Sequence, residues 1–312
     1  MVQGPDAAVT PGRPSVRSVA AVVVNYNARD HLRRCLASLS AEGVSPVVVV
    51  DNGSTDGSRL VVEAAGAHWV ESGGNVGYGR AANRGASDGR VGGAGYLLIC
   101  NPDLDVKPGC VGILLEALAA DPSVGIVGPR LSNPDGSLYP SARTFPDLVD
   151  AMGHGLLGMV APGNPFTRRY RLLDWDHREQ AAVDWVSGAC FLIRREAWDA
   201  VGGFDPSYFM YMEDVDLCWR LGRAGWGVSY QPAAEVVHTQ GVSADQHPYR
   251  MLAAHHLSMW RFAWRTSTGA RRTALPLVFV GLAGRLLVAA ARRRLAGPSH
   301  RPAGTGAPRP LP

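Results

Sequence analysis

Two continuous apolar runs near the start of the chain, with a helical repeat between them, restrict the fold more than any other feature. Ser18–Asn25 (SVAAVVVN) and Val47–Asp51 (VVVVD) are of strand length. Neither alternates polar with apolar residues, as expected of strands covered on both faces. Between them RDHLRRCLASL places Leu32, Cys35, Leu36 and Leu39 at helical spacing. Strand, helix and strand in that order predict a parallel pair with a right-handed crossover.

The alternation continues. Ser58–Ala65 reads as a helix, Ala67–Glu71 as a strand and Arg80–Asp88 as a helix. Tyr96–Cys100 (YLLIC) is a strand, Pro108–Ala120 a helix with proline in its first turn, and Val124–Val127 a strand. Polar, glycine-rich turns follow these strands, at the edge where open α/β sheets bind ligands. From Leu131 to Asp184 the regularity fails. SNPDGSLYP predicts a turn or hairpin, Met152–Pro165 is apolar but broken by glycine and proline, and Arg168, Arg169 and Arg171 form a basic run. Trp185–Ile193 reads as one strand, Val215–Ala224 as a helix, and Tyr249–Arg265 as an aromatic, basic helix.

The 312 residues, 46% of them hydrophobic, suffice for one large domain and exclude a disordered chain. Five cysteines, widely spaced and without a C-x-x-C pair, predict reduced thiols and neither a disulfide framework nor a zinc knuckle. The first residues lack an apolar secretory segment. Charge is divided unevenly. Of 31 Lys+Arg and 27 Asp+Glu, eleven arginines and no acid follow Asp245, leaving 20 basic against 27 acidic residues in 1–245. A basic tail of this kind predicts contact with an anionic surface. Thr273–Ala291 is apolar except for Arg285 and is flanked by arginines. It reads as a helix lying in a membrane interface, its arginines reaching to phosphates. The expected organisation is a disordered start (1–17), two halves (18–130 and 131–245), a basic helical membrane-associating region (246–297) and a disordered tail (298–312).

Four stretches carry chemistry. Asp51-Asn52-Gly53-Ser54-Thr55-Asp56-Gly57-Ser58 follows the VVVV strand. Asp51 is placed to accept hydrogen bonds from a base or ribose; an ordinary turn with Asp56 as N-cap accounts for the same residues. Asn75-Val76-Gly77-Tyr78-Gly79-Arg80 opens a helix. Its glycines allow backbone amides to approach a phosphate, and Arg80 adds charge. It lacks the spacing of a dinucleotide fingerprint. Asn101-Pro102-Asp103-Leu104-Asp105 follows YLLIC, so its carboxylates point into the cleft, where one or two suffice for a divalent cation bridging phosphates. Finally, Glu213, Asp214 and Asp216 open a helix inside an aromatic, apolar context. Three acids exceed what capping requires, and one suits a general base. His238 gains interest as a further metal ligand beside Asp103.

Taken together, VVVNYN at 22–27, DNGSTDGS at 51–58, NVGYGRAAN at 75–83, NPD at 101–103, the run at 202–226 and H-x-x-G at 238–241 resemble the family-2 glycosyltransferases, and within them the rhamnosyltransferase branch. The resemblance covers about residues 18–265. It implies a GT-A fold, Rossmann-like, with a mixed central sheet flanked by helices and shared by both halves. It implies that Asp51 contacts the nucleobase with Asn25 and Asn27 nearby, and that Asn75, Arg80 and Asn101 line the donor site. Asp103, with His238, would bind a divalent cation, Mg2+ or Mn2+. Asn101 stands where many relatives have aspartate, leaving one fewer charge for the cation. Asp214 would be the base, with Glu213 or Asp216 orienting it or the acceptor. The reaction implied is inverting transfer of a sugar, L-rhamnose from dTDP-L-rhamnose, to a polyprenyl-diphosphate-linked N-acetylglucosamine at the cytoplasmic face of the plasma membrane, in cell-wall linker synthesis. A UDP-hexose or UDP-galactofuranose donor fits the same motifs. A sugar-nucleotide pyrophosphorylase would need a basic glycine-rich signature where NYNARD stands. A nucleic-acid binder, or another non-enzymatic protein of anionic surfaces, leaves the acids at 213–216 unexplained.

Overall fold

Apolar runs without a polar face belong in the middle of a sheet, and both N-terminal runs lie there. The computed structural model describes residues 18–145, 161, 163–172, 174–240 and 246–295. Strand β1 (Val19–Asn25) is buried along its whole length. It pairs in parallel with β2 (Val47–Asp51) on one side and β4 (Tyr96–Cys100) on the other. β3 (His68–Glu71) extends the parallel set beyond β2. Helices α1 (Arg29–Ala41), α2 (Ser58–Ala64) and α3 (Tyr78–Ala86) make the crossovers.

Beyond β4 the sheet becomes mixed. The remaining strands are β5 (Leu104–Val106), β6 (Val124–Ser132), β7 (Leu138–Tyr139), β8 (Ala142–Arg143), β9 (Ala181–Ala182), β10 (Trp185–Val186), β11 (Cys190–Arg194) and β12 (Gly227–His238). The order is β3-β2-β1-β4-β11-β6-β12-β5, with β7 and β9 attached to β6 and β12. β11 runs antiparallel to both β4 and β6. Alternate residues of β1 feed two cores. Val19, Ala21 and Val23 meet α1 and α4 (Cys110–Ala120), and Ala20, Val22 and Val24 meet α3 and a helix at Glu213–Arg223. All five cysteines are buried and unbridged.

Three expectations are corrected. The single strand at Trp185–Ile193 is two strands in different sheets, because β10 leaves to pair with β8. The break lies at Ser187–Ala189, where Ser187 N–H donates to Ser141 O at 2.8 Å and Gly188 turns toward another element. Helix α4 begins at Cys110, so Pro108 precedes it. Glu42, at the end of α1, caps α4 through the amides of Gly109 (2.7 Å) and Val111 (2.9 Å), a partner distant in sequence. The acid-bearing stretch after YLLIC also contains β5, an edge strand against β12. The predicted hairpin at SNPDGSLYP forms, as β6 and β7. Most of the apolar stretch Met152–Pro165 lies outside the described residues.

Five further α-helices are described: α5 (Pro165–Arg171), α6 (Arg195–Val201), α7 (Glu213–Arg223), α8 (Pro248–Thr266) and α9 (Leu275–Leu295). Gly269–Ala291 is long and apolar enough to cross a membrane. Arg285 does not reach outward as expected. It is 8% exposed and lies within electrostatic reach of His256 on α8. The outward face is therefore apolar, with Leu277, Phe279, Val280, Leu287 and Val288 exposed. Helix α8 is tied to the segment before α7. Ser258 Oγ donates to Met210 O at 2.9 Å, Arg250 lies over the Phe209 ring, and Arg265 pairs with Asp205.

Candidate active site

The polar turns after β1, β2 and β3 meet at the carboxyl edge of the sheet. Asp51, buried, organises them. Its Oδ1 accepts from Asn25 Nδ2 at 3.0 Å and Ser54 Oγ at 2.5 Å, and its Oδ2 from the amides of Gly53 (3.0 Å) and Ser54 (2.8 Å). Asn27 accepts from Thr55 N–H at 2.8 Å and donates to Gln246 at 3.1 Å. Asn52, not singled out in the sequence, binds the next turn through Val76 N–H at 3.2 Å and Gly77 O at 3.3 Å. Asn75 accepts from Gly77 N–H within that turn at 3.3 Å. The structure thus gathers Asn25, Asn27, Asp51 and Asn75 at one rim.

The glycines of NVGYG have a packing role. Gly77, at φ +93°, abuts Phe209: a Cβ there would lie 2.3 Å from the Phe209 carbonyl oxygen. That oxygen accepts from Tyr78 N–H at 3.0 Å. A Cβ on Gly79 would lie 2.9 Å from Phe204 Cβ. Arg80 also turns to this segment, donating through Nε to Pro206 O at 2.6 Å. These residues hold the stretch that leads to the acids at 213–216. Gly77→Ala adds both strain and overlap, so it is expected to destabilise the fold by about 2–4 kcal/mol. A thermal melt measures this; an unchanged midpoint would contradict the close approach.

After β4 the chain turns at Asn101–Asp103. Asp103 is buried, and its Oδ1 lies 3.3 Å from His238 Nε2 at the end of β12. Asn101 Nδ2 lies 3.3 Å from the same nitrogen. Burial pushes the Asp103 carboxyl up, but the His238 and His31 imidazoles and a backbone amide pull it down further, leaving it below the ordinary value. His31, on α1, is a neighbour that no sequence signal marked. Asp103 Oδ1 meets only the His238 imidazole among the described side chains, at the loose distance of 3.3 Å, inside a buried turn. A carboxylate and an imidazole nitrogen set this way suit a cation. Among the described residues no third His, Cys, Asp or Glu joins them. The pair therefore fits a cation that takes its remaining oxygens from a bound diphosphate and water.

Asp214 opens α7 and reaches the break between β10 and β11. Its Oδ2 accepts from Gly188 N–H at 2.8 Å and its Oδ1 from Val215 N–H at 2.9 Å. The next residue, Ala189, accepts from Asn101 N–H at 2.9 Å through its carbonyl. Tyr78 Oη donates to Gly188 O at 2.6 Å and fixes the same residue from its carbonyl side. Glu213 is buried and its Oε2 has no partner. Burial, then the charge of Asp214, pushes it up to about 8. Burial also raises Asp214, against the two amides and the positive charge of Arg143.

Asp216 is not part of this group. Two residues on from Asp214, it faces the other side of the helix. There it pairs with Arg220 Nε at 2.7 Å and Arg265 Nε at 3.4 Å, and it is fully buried. It ties α8 to α7.

The chain matches the model of glycosyl transferase family 2 over residues 20–202. It is 42% identical to an N-acetylglucosaminyl-diphospho-decaprenol L-rhamnosyltransferase of Mycobacterium tuberculosis, over 88% of this chain and 94% of that one. It is 28% identical to the rhamnosyltransferase WbbL of Escherichia coli, over 70% and 81%. Among solved structures it resembles a mannosyltransferase of Pyrobaculum calidifontis in complex with GDP-Man and Mn2+. The TM-score is 0.53 at 18% identity, over 92% of this chain and 79% of that one.

Proposed function

Since the chain belongs to glycosyl transferase family 2 and is a glycosyltransferase, we propose that it transfers L-rhamnose, with inversion, from dTDP-L-rhamnose to a polyprenyl-diphosphate-linked N-acetylglucosamine. The observation that carries the reading is the short path between two acids. Asp214 accepts from Gly188, Ala189 accepts from Asn101, and Asp103 follows two residues on. Asp103 and Asp214 thus lie at one edge of the β4–β11 pair.

The turns around Asp51 would bind the nucleoside, and Asp103 and His238 would hold a divalent cation, with Asn101 beside them lining the donor site. The cation, when bound, offsets the negative charge that develops on the leaving nucleoside diphosphate. Asp214 takes the proton of the acceptor hydroxyl. The oxygen forms its bond to the anomeric carbon as the bond to the diphosphate oxygen breaks on the opposite face. The identity to the mycobacterial enzyme supports the sugar, L-rhamnose, and the lipid-diphosphate-linked N-acetylglucosamine acceptor. Initial rates with a panel of sugar nucleotides and the lipid-linked acceptor test the choice. Turnover is expected to be fastest with dTDP-L-rhamnose; faster transfer from a UDP-hexose or UDP-galactofuranose contradicts it.

A lipid-linked acceptor requires the protein at a membrane. The apolar outer face of α9 and the arginines beside it suit the anionic cytoplasmic leaflet. Leu277, Val280 and Leu287 are 65%, 68% and 72% exposed, so polar substitutions there leave the core intact. Each such side chain contributes about 1.5–3 kcal/mol when fully buried in lipid. Replacing all three by aspartate is expected to release the protein from anionic vesicles. Undiminished co-sedimentation contradicts the docking face.

A further inference from the structure

Arg143, on β8, is 6% exposed. A guanidinium is kept from water only where its charge and donors are answered. Its Nε donates to Pro140 O at 2.8 Å, and its carbon lies 5.0 Å from the centroid of the Trp185 ring and 5.8 Å from that of Tyr139. Trp185 is itself fixed, donating through Nε1 to Thr144 O at 2.9 Å. The Tyr139 ring meets His238 edge-on at 5.8 Å. Arg143 thus sits between the His238 side of the site and the strand that leads to Asp214.

The ladder gives the second link. Arg143 pairs with Trp185 across β8 and β10, and the same strand continues through Ser187 to Gly188, whose N–H holds Asp214. The titratable and charged groups within electrostatic reach of Asp214 are Glu213 and Cys218 from α7, Tyr78 from α3 and Arg143 from β8. His177 also lies within electrostatic reach of Arg143. Arg143 is the cation of this set. A base in a poorly solvated place beside a second acid is driven to take a proton before substrate arrives. A fixed positive charge opposes that.

We propose that Arg143 is a positioning residue for the transfer reaction, a guanidinium held between Tyr139 and Trp185 that keeps Asp214 ready to receive the acceptor's proton. This role rests on Asp214 being the base.

The test compares wild type with Arg143→Met, Arg143→Gln and Arg143→Lys. The pH profile of kcat is measured with sugar nucleotide and lipid-linked acceptor, and folding is checked by circular dichroism. Loss of the charge favours protonated Asp214, so the acid limb moves to higher pH, by roughly one unit, and turnover recovers at alkaline pH. Arg143→Lys keeps a positive charge and leaves the limb near that of wild type. Arg143→Met keeps an unbranched stem between the rings, so it carries the test where the glutamine variant does not fold. A purely structural role lowers kcat at every pH without moving the limb. A folded methionine or glutamine variant whose limb coincides with wild type overturns the proposal. Absence of any sugar transfer by the wild-type protein overturns the reading of Asp214 first, and this role with it.

Discussion

Asp214→Asn is expected to lower kcat by on the order of 10²–10⁴, the usual contribution of a positioned general base. Donor affinity is expected to stay close to that of wild type. The amide keeps the shape of the side chain, and its oxygen still accepts from Gly188 N–H, so the peptide that joins Asp214 to the Asn101 turn keeps its place. What is lost is the capacity to take a proton. Glu213 gives the variant a second signature. With the charge of Asp214 gone, the repulsion that helps hold Glu213 near 8 is removed, and Glu213 ionises at lower pH. Residual turnover is therefore expected to rise with pH through a lowered Glu213 value. Steady-state kinetics together with donor titration by calorimetry separate the two effects. A kcat within tenfold of wild type would sink the base assignment.

The second large effect is expected at Asp103. Asp103→Ala removes the one carboxylate of the Asp103–His238 pair and leaves His238 and Asn101 as its remaining groups. A cation on the leaving diphosphate contributes several kcal/mol to the transition state, so kcat/KM is expected to fall by on the order of a hundredfold or more. Because Asn101 already supplies no charge, no neighbouring carboxylate of the turn compensates; Asp105 points elsewhere, paired with Lys107 at 2.6 Å. The concentration of Mn2+ or Mg2+ that half-saturates donor binding is expected to rise sharply in the variant. An unchanged metal dependence would place the cation on other groups.

Some of this was readable from the chain because single residues interrupt otherwise uniform runs. Val47–Asp51 and Tyr96–Cys100 end where apolar strands meet polar turns, and the structure ends them at the same residues. Asp51 and Asp103 stand out for that reason. The break at Gly188 was not readable, since WVSGACFLI is apolar throughout and β8, which draws β10 away, lies in an irregular stretch. The start of α4 was misjudged because its cap, Glu42, comes from another helix. The acids of α7 were readable as a group but not by role. A spacing of two along a helix does separate Asp214 from Asp216, and that signal was available. Arg143, Tyr139 and His31 gave no signal: each is an isolated residue whose partners come from distant parts of the chain. The glycines at 77 and 79 were visible, but what fills the space beside them is protein, Phe209 and Phe204.

The account depends on one displacement, with the diphosphate held near Asp103 on one side of the sugar and the proton acceptor Asp214 on the other. The anomeric configuration of the first product, read from the one-bond carbon–proton coupling before any rearrangement, tests this most directly. A configuration opposite to that of the donor is predicted. A product with the donor's configuration would require two displacements and a nucleophile on the protein, and would contradict the assignment of Asp214 as a base.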